Sequence, residues 1–114
     1  MYKTNESEHE YRNGDSGPKY LMKGPRSNFG VMQLQPGETA AAHLHEKMEE
    51  SFFVLEGNPT FSIADQVVEA VPGDFLNAAP GEPHKIENHS DKPCRFVINT
   101  APFFEEGDKV LVEM

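Results

Sequence analysis

The chain has 114 residues, with nine glycines, nine prolines, one cysteine and a formal net charge of -9 from 10 Lys plus Arg against 19 Asp plus Glu. That balance argues against nucleic acid and anionic membranes as partners, because neither phosphate neutralisation nor attraction to acidic lipid is available. Cys94 alone allows no internal disulfide and no thiolate cluster, no stretch reaches transmembrane length, and the polar N-terminus lacks the apolar core of a signal peptide, so the cytoplasm is the expected compartment.

Residues 1–28 read as an N-terminal polar segment with an edge strand. Asn13-Gly14-Asp15-Ser16-Gly17-Pro18 is a dense turn cluster, Tyr20–Met22 a brief apolar run, and Lys23–Asn28 a basic turn that suits either solvent or an anion-binding rim. Residues 29–114 read as one domain of short strands punctuated by Gly and Pro. The strands fall at Phe29–Leu34, Thr39–His45, Ser51–Leu55, Thr60–Ala64, Val67–Val71, Phe75–Ala78, His84–Asn88, Cys94–Asn99 and Val110–Val112. Ala40–Glu50 contains good helix formers, but Ser51–Leu55 has no helical period and Pro36-Gly37 and Gly57 bracket a strand pair. The expected class is all-β, a sandwich or barrel.

His43 and His45 are two apart, so in a strand both imidazoles stand on one face. Glu50 opens the next apolar run, where Phe52 and Val54 share its face, and His84 follows in Pro83-His84-Lys85. Three imidazoles and a carboxylate from separate strands suit a transition metal. Taken singly, each has a plainer reading: a chance His pair, a surface turn histidine, and a solvated Glu beside Glu46 and Glu49.

The joint pattern is more specific. Gly37, five residues, His43-Leu44-His45, four residues, Glu50, six residues and Gly57 meet every position of G-x5-H-x-H-x3,4-E-x6-G. Gly73, Gly81, His84 and Asn88 align with G-x5-P-x-G-x2-H-x3-N, with Ala79 where that pattern has proline and Pro80 just after it. In these two motifs, at 37–57 and 73–88, the sequence resembles small single-domain members of the cupin superfamily. The resemblance implies an antiparallel double-stranded β-helix, the jelly-roll or cupin barrel, with metal ligands His43, His45, Glu50 and His84. Only Glu50, and not Glu49, leaves six residues before Gly57.

The implied cofactor is one divalent transition metal ion, Mn, Fe, Ni, Co or Zn. The implied function is that of a small metalloenzyme acting on an oxygen-rich chelating small molecule, with dioxygenase-, decarboxylase- or isomerase-like chemistry. The alternatives are a non-catalytic cupin that binds a carbohydrate or carboxylate, and a closed structural zinc site. A homodimer is expected, with Phe103-Phe104 over a barrel mouth or a partner subunit as one use of that pair beside ordinary packing. Gln33, Gln35 and Asn77 are polar residues placed to line the pocket or to face solvent. Phe52, Phe61, Phe75 and Phe96 are expected in the core, Cys94 as a small core residue, and His9 and His89 in solvent.

Overall fold

Strand after strand, alternate residues turn one way into an apolar layer, and a glycine- or proline-bearing turn reverses the chain before the next run. The computed structural model describes residues 1–102 and 107–114, and Phe103-Phe104 lie outside the described residues. A 3-10 turn at Glu6–Glu8 precedes strands β1 (Gly17–Lys23), β2 (Asn28–Leu34), β3 (Thr39–His45), β4 (Glu49–Glu56) and β5 (Thr60–Ile63). Strands β6 (Gln66–Glu69), β7 (Phe75–Ala78), β8 (His84–Glu87), β9 (Cys94–Ala101) and β10 (Lys109–Leu111) follow.

All pairings are antiparallel. One sheet runs β1-β2-β9-β4-β7 and the other β10-β3-β8-β5-β6, so strands distant in sequence become neighbours, as a double-stranded β-helix requires. The apolar layer between them is built by Leu34, Phe52, Val54, Phe61, Ile86, Phe96 and Ile98. Phe52, Phe61 and Phe96 have no exposed surface, and their ring centroids stand 5.1, 5.3 and 6.2 Å apart in tilted and edge-on contacts. Cys94 is also fully buried there. Among the described residues no helix is long and apolar enough to cross a membrane.

Phe75 departs from expectation. It is 64% exposed, because Leu76 and Ala78 take the inward positions of β7 and Phe75 stands on the outer face beside Phe53, its register partner on β4. As expected, no helix forms at Ala40–Glu50. β3 and β4 hold that region, joined by a turn whose Lys47 and Met48 amides donate to the Asp108 carboxylate at 2.8 and 3.1 Å.

Ion pairing ties the N-terminal segment to the outer face of the first sheet. Glu6 accepts from Lys19 Nζ at 3.0 Å and from Arg95 Nη2, and Arg95 Nε donates to the Tyr11 hydroxyl at 3.0 Å. Lys19, on a strand edge that would otherwise be open, is only 8% exposed as a result.

Candidate metal centre

β3 carries His43 and His45 on one face, and β8 lies beside it with His43 and His84 as register partners. β4 returns through the Asp108-held turn and presents Glu50 from the opposite sheet, on the same inward face as Phe52 and Val54. Glu49 points outward, where it accepts from Asn77 Nδ2 at 3.2 Å. One carboxylate oxygen, Glu50 Oε1, therefore lies 3.0 Å from His45 Nε2, 3.0 Å from His84 Nε2 and 3.5 Å from His43 Nε2. His43 Nε2 and His84 Nε2 are 3.1 Å apart, and one ligand atom from each of the four residues falls within 4.8 Å of all the others.

The turn into β8 is held where the motif departs from the family pattern. A proline at position 79 would carry no N–H, whereas Ala79 donates its amide to Glu82 Oε1 at 2.8 Å. Gly81 then donates to the His45 carbonyl at 2.7 Å, which anchors the second motif directly on the first. Downstream, Asn88 is 1% exposed and bonds in both senses, donating to the Leu34 and Lys92 carbonyls and accepting from Ser90.

The donor chemistry of the four groups suits a cation. The ring Nδ1 of His43 meets the Ala41 carbonyl at 2.8 Å and that of His84 meets the Glu82 carbonyl at 3.0 Å. A carbonyl only accepts, so each Nδ1 carries the proton and each neutral ring turns a bare Nε2 lone pair into the cluster. In that neutral form two lone pairs and a carboxylate oxygen face one another, an arrangement that a cation relieves. Two donors at right angles on an ion with bonds of about 2.1 Å stand about 3.0 Å apart, and the observed contacts of 3.0 to 3.5 Å match that spacing. Burial works against the charge on Glu50, and hydrogen bonds donated by His43, His45 and His84, wherever Nε2 bears a proton that a cation would replace, hold its carboxyl well below the usual range.

His45 is oriented differently. Its Nδ1 is buried with no hydrogen-bond partner and lies 3.9 Å from Asp108 Oδ2, a carboxylate whose side chain is 1% exposed. Behind the cluster, Phe52 closes the core side, with its ring centroid 5.8 Å from that of His84. In front, a cavity of about 460 Å³ opens onto His43, His45 and Glu50 and is lined further out by Tyr20, Arg12 and Lys109.

Of the two placements open to Gln33, Gln35 and Asn77, pocket or solvent, the structure takes none of the three to the cluster. Gln33 and Gln35 both donate to the Asp15 carbonyl at 2.9 Å, and Asn77 is spent on Glu49 and Ser51 on the outer face. His89 is exposed, 3.5 Å from Glu87, whereas His9 is half-buried with Nε2 2.7 Å from Thr4 Oγ1, not free in solvent. Neither approaches the cluster. Of the basic turn, Lys23 and Arg26 are not among the cavity walls, while Asn28 at its end is.

Residues 30–99 match the family model described as Cupin domain. Over 93 residues the chain is 26% identical to the uncharacterised protein MJ1618 of Methanocaldococcus jannaschii, covering 82% of this chain and 74% of that one. It is 29% identical over 80 residues to the tetracenomycin polyketide synthase protein TcmJ of Streptomyces glaucescens, covering 69% of this chain and 54% of that relative. Among solved structures, a conserved protein with a double-stranded β-helix domain from Klebsiella pneumoniae superposes with a TM-score of 0.84 at 23% identity, covering 100% of this chain and 99% of that one.

Proposed function

The chain belongs to the cupin domain family, and on that premise we propose that it holds one divalent transition metal ion through His43, His45, Glu50 and His84 and presents it to an oxygen-rich small molecule in the adjoining cavity. The observation that carries this reading is the meeting of three Nε2 atoms and Glu50 Oε1 at contacts of 3.0 to 3.5 Å, with two of the rings fixed in the ligating tautomer from behind.

When bound, such an ion supplies Lewis acidity to a chelated oxygen. The protein's own groups do the rest. Glu50 contributes the single negative charge that offsets a dication among three neutral rings. The Ala41 and Glu82 carbonyls keep His43 and His84 from rotating. Phe52 excludes water from the core side, and Tyr20 brings a phenol to the cavity wall. Burial, then the charge of Glu50, pushes that phenol up, so at neutral pH it is a donor and not a base. A closed structural zinc is the weaker alternative, because the cavity reaches three of the four proposed ligands.

Elemental analysis of protein purified without added metal tests the reading. One equivalent of a transition metal, together with turnover or binding of enediols and diketones, is expected; metal-free protein that stays so on dialysis against Mn, Fe, Co, Ni and Zn would overturn it. Binding without turnover would mark a non-catalytic holder of carboxylate or carbohydrate-like ligands. Self-association is proposed as well, supported by Phe53 and Phe75, adjacent and 41% and 64% exposed on the outer face of the first sheet. Analytical ultracentrifugation of Phe75→Glu checks it, with a shift to monomer expected.

A further inference from the structure

The walls of the cavity away from the four proposed ligands are not neutral. Lys109 on β10 is the register partner of His45 on β3, so its side chain leaves the sheet on the face that carries the imidazole. Arg12 arrives from the other sheet's side, in the turn before β1, where its amide donates to the Pro18 carbonyl at 2.9 Å. Both line the same cavity as His43, His45 and Glu50. Tyr20, on the wall of that cavity, is within electrostatic reach of Glu50, which pushes its phenol up, and of Arg12, which pulls it down. Arg12 therefore faces the cavity as well as bulk solvent.

In a chain of net charge -9, two cations in the lining of one cavity invite comparison with the acids beside them. The acids lining the cavity, Glu38 and Glu50, are both engaged: Glu38 Oε1 accepts from the Gln35 amide at 2.6 Å, and Glu50 faces the three imidazoles. Among the described residues neither Arg12 nor Lys109 has a carboxylate at ion-pair distance. Their charge is left for something that enters the cavity.

We propose that the cavity selects a small organic anion, a hydroxy- or oxo-acid whose oxygens reach the His43–His45–Glu50–His84 cluster and whose carboxylate is received by Arg12 and Lys109. This rests on the metal reading above and adds to it the chemical class of the ligand. The fork of Arg12 offers paired N–H donors matched to a carboxylate, and Lys109 adds a point charge from the opposite strand. A neutral polyol or diketone gains nothing from either.

Kojic acid and comenic acid separate the two statements, because they share one hydroxypyranone oxygen pair and differ in a hydroxymethyl group against a carboxylate. Both are titrated calorimetrically into protein of measured metal content, as wild type and as Arg12→Gln/Lys109→Gln, whose two positions are exposed and whose replacement leaves the core untouched. The wild type is expected to bind comenate about tenfold or more tightly than kojate. In the double variant that preference should fall to within about twofold, with kojate affinity and metal content unchanged. Equal affinities in the wild type, or an undiminished preference in the double variant, would overturn the anion subsite while leaving the metal reading intact. Absence of bound metal with neither compound binding would overturn both.

Discussion

His43 and His84 are register partners across β3 and β8, and their Nε2 atoms stand 3.1 Å apart although 41 residues separate them in the chain. Each Nδ1 is tied to a carbonyl two residues back, so neither ring can turn its lone pair away without losing a hydrogen bond. His84→Ala should cut metal content severely while the barrel stays folded. The ring lies against Phe52, so a stability loss of about 2 kcal/mol from the space it leaves is expected in addition. His89→Ala is the control, since His89 is exposed and remote from the cluster, and should leave metal content as it was. Unchanged occupancy in the His84 variant would remove that residue from the site.

Asp108 is the residue that the motifs do not reveal. Its carboxylate takes the amides of Lys47 and Met48, fixing the turn between the strand that bears His45 and the strand that bears Glu50. Its Oδ2 is also 3.9 Å from the one imidazole nitrogen of the cluster left without a partner. A carboxylate behind a ligating imidazole holds the ring and raises its basicity. Asp108→Asn keeps the shape and one acceptor but loses the charge. Metal affinity, read by competition with a chromogenic chelator, should fall about 10- to 100-fold. Metal affinity equal to wild type would confine Asp108 to holding the turn.

What the sequence reveals about this molecule is set by strand parity. His43, His45 and Glu50 are legible because a two-residue period and fixed glycines leave little choice of face, and β3, β4 and β7 run where the apolar runs and turn residues put them. Phe75, Gln33 and Asn77 are not, because an apolar and a polar residue share one face of each strand, Phe75 with Asn77 on β7 and Val31 with Gln33 on β2. Only the pairing of β7 with β4 and of β2 with β9 decides which way they point. Arg12, Tyr20, Asp108 and Lys109 are further removed. They come from the two ends of the chain and reach the cavity, or for Asp108 the back of His45, through the β1–β2 and β10–β3 pairings, which no local pattern encodes.

Cys94 opens β9 with no exposed surface, and burial pushes its thiol up from 9.0 to about 11. The thiolate is the reactive form, so at pH 8 the native protein should resist a disulfide reagent that labels the unfolded chain within minutes. The linkage has a definite sign. A folded-state pKa above the unfolded one means that stability is fully present below pH 9 and is lost as pH rises towards 11. Denaturation midpoints across that interval should decline in the wild type and decline less in Cys94→Ala, once the constant loss from the smaller side chain is subtracted. Parallel slopes would show that Cys94 is not the group responsible.

Gly57 and Gly37 bound the first motif and have nearly the same backbone, with φ of 80° and 84°, but different surroundings. A Cβ on Gly37 would meet nothing within 4 Å, so Gly37→Ala is charged only with the left-handed conformation, about 1 kcal/mol. A Cβ on Gly57 would stand 2.7 Å from the Pro93 carbonyl oxygen and 2.8 Å from Cys94 Cα, both backbone atoms of the turn entering β9. Neither atom can move without displacing β9, the strand that pairs with both β2 and β4. Gly57→Ala should therefore cost the conformational term and an added overpacking term of about 1–3 kcal/mol, read as a lower urea midpoint than Gly37→Ala. Because Gly57 is remote from the cavity walls, the fraction that remains folded should bind metal as the wild type does. Equal midpoints for the two variants would mean that β9 yields to the added methyl, and that Gly57 is required for its backbone conformation alone.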